Sequence, residues 1–276
     1  MSKSLKPLNE QVIVITGASS GIGLATTLLA AESGAKLVIA ARSEETLNDV
    51  AHHIRSVGGE AVAVGADVGN RDDLERVAQT AIDRFGRIDT WVNDAGVSIY
   101  SRILESSDED NRRLFDTNFW GIVYGTQVAM PHLQRSNGAL INLGSEVSEA
   151  VVPLQGIYSA SKHAVKGFTD ALRVELLHDK VEVSVTLIQP GATDTPFPQH
   201  ARNYMEQEPA LPKPLDDPFD VAKAILEAAT TEKRSIKVGG ESKLNVLMAK
   251  FAPKLADKIG TKQMERQQYA EPPRNP

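Results

Sequence analysis

Two polar side chains stand four residues apart in "YSASKHAV", the phenol of Tyr158 and the ammonium of Lys162, inside a segment with the periodicity of an amphipathic helix. On a helix such neighbours share a face, so both can reach the same bound molecule. A phenol with an ordinary pKa of about 10 is a poor base at neutral pH, but a nearby ammonium favours its ionised form. Each pKa unit requires only about 1.4 kcal/mol of differential interaction, so a partly desolvated lysine and a positively charged ring bound beside it can together supply several units. The pair reads as a tuned acid–base in which Lys162 keeps Tyr158 ionisable near neutrality. Taken alone, a tyrosine and a lysine at this spacing also form an ordinary surface pair.

Ser145, thirteen residues before Tyr158 in "INLGSEVS", strengthens the chemical reading. It falls at the carboxyl end of a predicted strand, where sites gather in open α/β sheets. Its hydroxyl can hydrogen-bond a substrate carbonyl beside the tyrosine and stabilise a developing alkoxide. Capping of the following segment is the alternative role. Asn118, in "FDTNFWG", lies in a segment predicted to be helical, where asparagine competes for backbone hydrogen bonds. We expect it to anchor a water next to Lys162.

The elements that must position these groups are legible as an alternation. Short β-branched runs, "QVIVIT", "AKLVIAA", "EAVAVGAD", "RIDTWVND", "GALINLGS", "VEVSVTLIQP" and "RSIKVGG", alternate with amphipathic segments such as "ETLNDVAHHIRSVG" and "RDDLERVAQTAIDRFG". That order predicts right-handed βαβ crossovers and a parallel sheet covered on both faces, the doubly wound α/β arrangement. Residues 194–218 carry six prolines and are expected to travel as a lid loop with at most short turns. We read residues 1–240 as one domain including that lid, and residues 241–276 as a helical extension and tail. In the extension Leu244, Leu247, Phe251, Leu255 and Ile259 recur at helical spacing beside Lys250, Lys254 and Lys258, and Pro253 is expected to bend or interrupt the helix. A surface helix is the expected reading of this pattern, with a weak membrane-surface contact as the alternative.

After the first predicted strand comes "TGASSGIG", with Gly17, Gly21 and Gly23 leading into a helix. Glycines here let backbone approach a pyrophosphate, and the helix N-terminus favours the anion. The spacing is GxxxGxG rather than GxGxxG, and tight strand-to-helix packing is the alternative explanation. At the end of the second strand Arg42 and Ser43 can hold a 2′-phosphate, so NADP(H) is favoured with NAD(H) possible, Glu44 and Glu45 being close by. Asp67 is expected to hold an adenine amino group or to act as a turn aspartate; Asn93 and Gly96 follow the fourth strand.

Composition excludes several classes. With 276 residues, 41% of them hydrophobic, the chain can bury a full core. It has no cysteine, so no disulfide or thiolate metal site is available, and no metal is expected. The net charge of −6 argues against nucleic-acid partners. The polar start and the lack of a long apolar run lead us to expect a soluble, cytoplasmic protein with no stable membrane insertion.

"TGASSGIG", "NDAG", "TNFWG", the Ser145-to-Tyr158 interval, "YSASK" and "PGATDT" occur in the order and spacing of the short-chain dehydrogenase/reductase family, which the chain resembles over about residues 10–240. The resemblance implies a single Rossmann-like domain with a seven-stranded parallel sheet, often a homodimer or homotetramer. It implies a tetrad of Asn118, Ser145, Tyr158 and Lys162, in which tyrosine moves the proton and serine positions the substrate oxygen. Lysine lowers the tyrosine pKa and binds the nicotinamide ribose, and asparagine completes a relay through water. The residues expected around the cofactor are Gly17, Ser19, Ser20, Gly21, Ile22, Gly23, Arg42, Ser43, Asp67, Val68, Asn93, Ala95, Gly96, Tyr158, Lys162, Pro190, Gly191, Thr193 and Thr195. Substrate, a carbonyl compound or secondary alcohol, is expected against Ser145, Tyr158, Val147 and Gln155, with Glu146, Val151, Val152, Ile99 or Tyr100 and the lid completing the pocket. Asp94 stands where the family usually has a second asparagine, a change expected to alter hydrogen bonding near the sheet without touching the chemistry. The expected activity is hydride transfer with NADP(H). An NAD-dependent alcohol or sugar dehydrogenase and a non-catalytic NADP-binding regulatory protein are the alternatives.

Overall fold

The apolar runs become the strands of one parallel sheet. A computed structural model describes residues 5–211, 213–239 and 251–264. In chain order these hold β1 (Val12–Thr16), α1 (Gly21–Glu32), β2 (Lys36–Ala41), α2 (Glu44–Ser56), β3 (Glu60–Gly65), α3 (Arg71–Phe85) and β4 (Thr90–Asn93). Next come β5 (Ile99–Tyr100), α4 (Asp108–Phe115), α5 (Gly121–Ser136), β6 (Ala139–Leu143), α6 (Gly156–His178) and β7 (Ser184–Pro190). The chain continues through β8 (Arg202–Asn203), α7 (Pro218–Thr230), β9 (Ser235–Val238) and α8 (Pro253–Gln263).

Seven strands pair in the order β3-β2-β1-β4-β6-β7-β9, all parallel. Both faces are covered, which is why β1, β4, β6 and β7 are buried along their whole length and read as continuous apolar runs. Alternate residues go to opposite cores: Ile13 and Ile15 pack with Leu47, Ile54 and Ile225, while Val12 and Val14 pack with Leu74, Leu133 and Leu176. Strand order reverses between β1 and β4, and the crevice outside their carboxyl ends is where such sheets bind ligands. The helices that set this crevice begin and end on capping signals. Asn70 accepts from Asp72 N–H at the start of α3, which closes at Gly86 with φ of 76°.

One expectation needs correction. The proline-rich segment is not a plain loop, because β8 pairs in parallel with β5, more than a hundred residues earlier, and Thr193 bridges to Asp216 at the base. Pro253 interrupts the helical pattern as expected: the chain breaks at Ala252 and Pro253 opens α8 in its first turn, where proline lacks only a hydrogen bond that no residue there would make. Leu244, Leu247 and Lys250 lie outside the described residues. Among the described residues no helix is long and apolar enough to cross a membrane.

Candidate active site

From Leu143, the last residue of β6, the chain runs through Gly144 to Ser145, which caps the 3₁₀ turn Glu146–Ser148. The Ser145 hydroxyl accepts from Val147 N–H at 3.3 Å, and Ser145 N–H donates to the Ser148 hydroxyl at 3.2 Å. This reciprocal cap fixes the Ser145 side chain. The same hydroxyl hydrogen-bonds that of Tyr158, so the capping and chemical readings of Ser145 coexist. One turn along α6, Lys162 is only 4% exposed and donates to the Leu143 carbonyl at 2.8 Å. Its Nζ lies 5.8 Å from the centre of the Tyr158 ring. The end of β6 therefore supplies both the serine and the carbonyl that holds the lysine, and α6 supplies the phenol.

The electrostatics depart from expectation. Burial is the largest influence on Tyr158 and pushes its pKa well above the ordinary value. The Ser145 hydrogen bond opposes that rise, while the Glu146 and Asp94 carboxylates add to it. Among the chain's own groups burial prevails, and Tyr158 keeps its proton near neutrality. Burial lowers Lys162 to about 8 against the pull of Asp94. Asp94 itself is pushed up to about 7 by burial, opposed by Lys162 and by a hydrogen bond from Gly23 N–H.

Beside this cluster the turn after β1 forms a cradle. Gly17 has φ of 74° and Gly21 of 54°, conformations that side chains rarely adopt. A Cβ on Gly23 would lie 2.3 Å from the Gly17 carbonyl oxygen. Ser20 precedes α1 without a side-chain cap, which leaves the Gly21 and Ile22 N–H groups available to an anion, the Gly23 N–H being taken by Asp94. These features fit a dinucleotide phosphate. At the far end Arg42 and Ser43 line the cleft, whereas the Glu44 carboxylate turns to Gly65, 2.9 Å from where a Cβ would stand. Asp67 also lines the cleft, its carboxylate accepting from Arg113 at 2.7 Å and from Gly69 N–H at 3.0 Å.

The family profile described as short chain dehydrogenase matches residues 11–206. The chain belongs to the short-chain dehydrogenase/reductase family. It is 46% identical over 275 residues to the uncharacterized oxidoreductase YxnA of Bacillus subtilis (strain 168), covering 99% of this chain and 77% of that protein. It is 33% identical over 259 residues to 11-beta-hydroxysteroid dehydrogenase 1A of Arabidopsis thaliana, covering 90% and 73% of the two chains. Among solved structures, a short-chain dehydrogenase/reductase from Burkholderia phymatum in complex with NAD superposes with a TM-score of 0.82, 27% identity and 99% coverage of each chain.

In this short-chain dehydrogenase/reductase nearly all the residues expected at the cofactor line the single continuous cleft that also holds Ser145, Tyr158 and Lys162. Three do not. Gly23 packs beneath the Gly17 turn. Asn93 is turned into the sheet, where its Oδ1 accepts from Trp91 at 2.8 Å and its Nδ2 donates to Asn142 at 2.9 Å. Asn118, in a π-helical turn at Asp116–Trp120, spends its amide on Val97 and Ser161, accepting from Val97 N–H and donating to Val97 O and to the Ser161 hydroxyl. Its side chain therefore braces the Gly96–Val97 segment against α6. On the substrate side Val147, Gln155, Glu146 and Val152 line the cleft; Val151 is 69% exposed, and Ile99 and Tyr100 are buried in β5 outside it. Sequence reasoning missed Thr117, whose buried hydroxyl has no partner among the described residues, and the lid residues Phe197, His200, Arg202 and Leu211. Phe197, an aromatic between two prolines, was the findable one: its ring lies 5.5 Å from that of Tyr158. Asp94 was noticed, but its carboxylate belongs to the cleft rather than to the sheet alone.

Proposed function

We propose that the protein is an NADP(H)-dependent oxidoreductase acting on a secondary alcohol or its carbonyl, with Tyr158 as general acid in the reducing direction. The carrying observation is the hydrogen-bonded Ser145–Tyr158 hydroxyl pair, backed by Lys162, in one cleft with the glycine cradle. A bound nicotinamide would supply or accept the hydride. Ser145 and Tyr158 offer two hydroxyls to one substrate oxygen. Because burial keeps the proton on Tyr158, it is ready to pass to an oxygen that gains negative charge, and Lys162 offsets the charge left on the phenol oxygen. Asn118 holds the backbone that faces these groups.

Val97, Val147, Val152, Phe197 and Leu211 make the substrate side apolar, with Gln155 as a polar point, in a cleft of about 990 Å³ overall. This supports a medium-sized apolar carbonyl compound, and the name of the Arabidopsis relative is in keeping with it. Arg42 and Ser43 at the cleft, with Glu44 turned away, support NADP(H); the NAD complex of the Burkholderia relative supports NAD(H) as the second reading. We further propose a homodimer or homotetramer, supported by Val174 and Leu177, 65% and 76% exposed on α6, and a domain ending near residue 240 with a helical extension beyond.

Tyr158→Phe should lower kcat for ketone reduction by about 10²- to 10⁴-fold and leave NADPH affinity, read by fluorescence titration, unchanged. Retention of most of the turnover across a ketone and aldehyde panel would refute the assignment. Arg42→Asp should weaken NADPH but not NADH; equal weakening of both would remove the phosphate role.

A further inference from the structure

We propose that Asp94 is a charged positioning residue that ties the glycine turn of the cofactor cleft to Lys162 and thereby sets the pH range over which the cleft accepts its cofactor. This rests on the reading of Lys162 and Tyr158 given above.

The family resemblance leads one to expect an amide at this position, and the chain supplies an acid of the same shape. Asp94 follows β4, anchored from behind by Thr16: Asp94 N–H and Ala95 N–H both donate to the Thr16 hydroxyl, at 3.2 and 3.3 Å. Its carboxylate reaches across to the neighbouring turn, where Gly23 N–H donates to it. Asp94 Oδ2 sits 2.6 Å from the position a Cβ would take on Gly23 and 3.1 Å from that on Gly17. Those glycines are thus required by the carboxylate as well as by any phosphate. Lys162 stands near the same segment: the Cβ position of Gly96 is 3.8 Å from both the Lys162 Nζ and the Asp94 carbonyl oxygen, and the Asp94 carboxylate acts on Lys162 through its charge and not through a direct ion pair.

An asparagine would keep the bond to Gly23 but remove the charge, and the charge has consequences. The groups that sense it are Lys162 and Tyr158, both from α6; Glu146, from the 3₁₀ turn, acts on Tyr158, and the glycine turn contributes only neutral backbone. Lys162 is lowered to about 8 in spite of Asp94, which works to raise it. The ammonium is therefore complete below that pH and lost above it. Without the Asp94 anion the loss must begin at lower pH. Tyr158 shifts in the same direction, because Asp94 works to raise it too.

The test is NADPH affinity, measured by fluorescence titration from pH 6 to 9.5, for the wild type and Asp94→Asn, each with Tyr158 intact and as Tyr158→Phe. Wild-type affinity should hold below about pH 8 and weaken above it; in Asp94→Asn the midpoint should fall to lower pH in both backgrounds. Asp94→Ser, which keeps a hydroxyl acceptor, should move the midpoint the same way, and thermal unfolding identifies any variant that does not fold. Coincident midpoints, a profile flat across the range, or a uniform loss of affinity at every pH would overturn the proposal. If instead Tyr158→Phe keeps its turnover, the acid assignment fails while the affinity midpoints still judge Asp94.

Discussion

On its cofactor side the cleft is walled by backbone, and on its substrate side by a long segment held with a few stitches. At Gly23 a single added carbon would meet the Gly17 carbonyl oxygen at 2.3 Å, and at Gly17 it would meet Ala95 backbone at 2.8 Å. Such contacts cannot yield unless β1 or β4 moves, and both lie in the middle of the sheet. The lid is different. Asp194 N–H donates to Asp216 O at 2.9 Å and Asp216 N–H to Ala192 O at 2.8 Å, closing its base. Further out, Arg202 N–H donates to Ser98 O and Tyr204 N–H to Tyr100 O, at 3.1 and 2.8 Å. Each such bond contributes about 1 kcal/mol net, so the lid can release its outer stitches without disturbing the core. Steric exclusion defines one wall and countable hydrogen bonds the other, which suits a common cofactor facing a substrate that must enter and leave.

Variants on the two walls should separate accordingly. Gly23→Ala should have the largest effect, because overpacking of about 1–3 kcal/mol falls on backbone that cannot retreat. We expect NADPH binding to drop below detection in a fluorescence titration together with a lowered melting temperature, and near-normal affinity would show the turn to be softer than the comparison holds. Tyr204→Phe should act on the other wall alone. It removes hydroxyl bonds to Ser107 and Asp110, about 0.5–1.5 kcal/mol, and should raise the substrate KM several-fold at unchanged NADPH affinity; a change in NADPH affinity instead would join the two walls. Leu255→Asp on α8 should do least. Leu255 is 52% exposed, so melting temperature and steady-state constants should stay within about 0.5 kcal/mol of wild type. A larger effect would place α8 in the machinery of the lid.

Much of the cofactor wall could be read from residue order, because a glycine turn after the first strand and a tyrosine–lysine pair on a helix are local patterns. The stitches could not. β5 and β8 are two residues each and pair across about a hundred residues of chain, and neither carries a periodic signal. Asn93 and Asn118 follow the same logic from the other direction. Their types suggested cleft residues, but a π-helical turn and a buried neighbour, Trp91, decide where their amides point. The ionisation of Tyr158 was misread for a related reason: the sequence shows a lysine four residues away but not how far water is excluded from the phenol.

The sequence by itself determined the alternation of strands and helices and most of the residues that gather at the cleft, because these depend on periodicity, backbone freedom and helical spacing. Only the tertiary structure decided which protons those residues hold and what closes over them. Desolvation and long-range pairing depend on neighbours brought from distant parts of the chain: at Asp94 and Lys162 burial outweighs the nearest charge, and at Tyr158 it outweighs the Ser145 hydrogen bond.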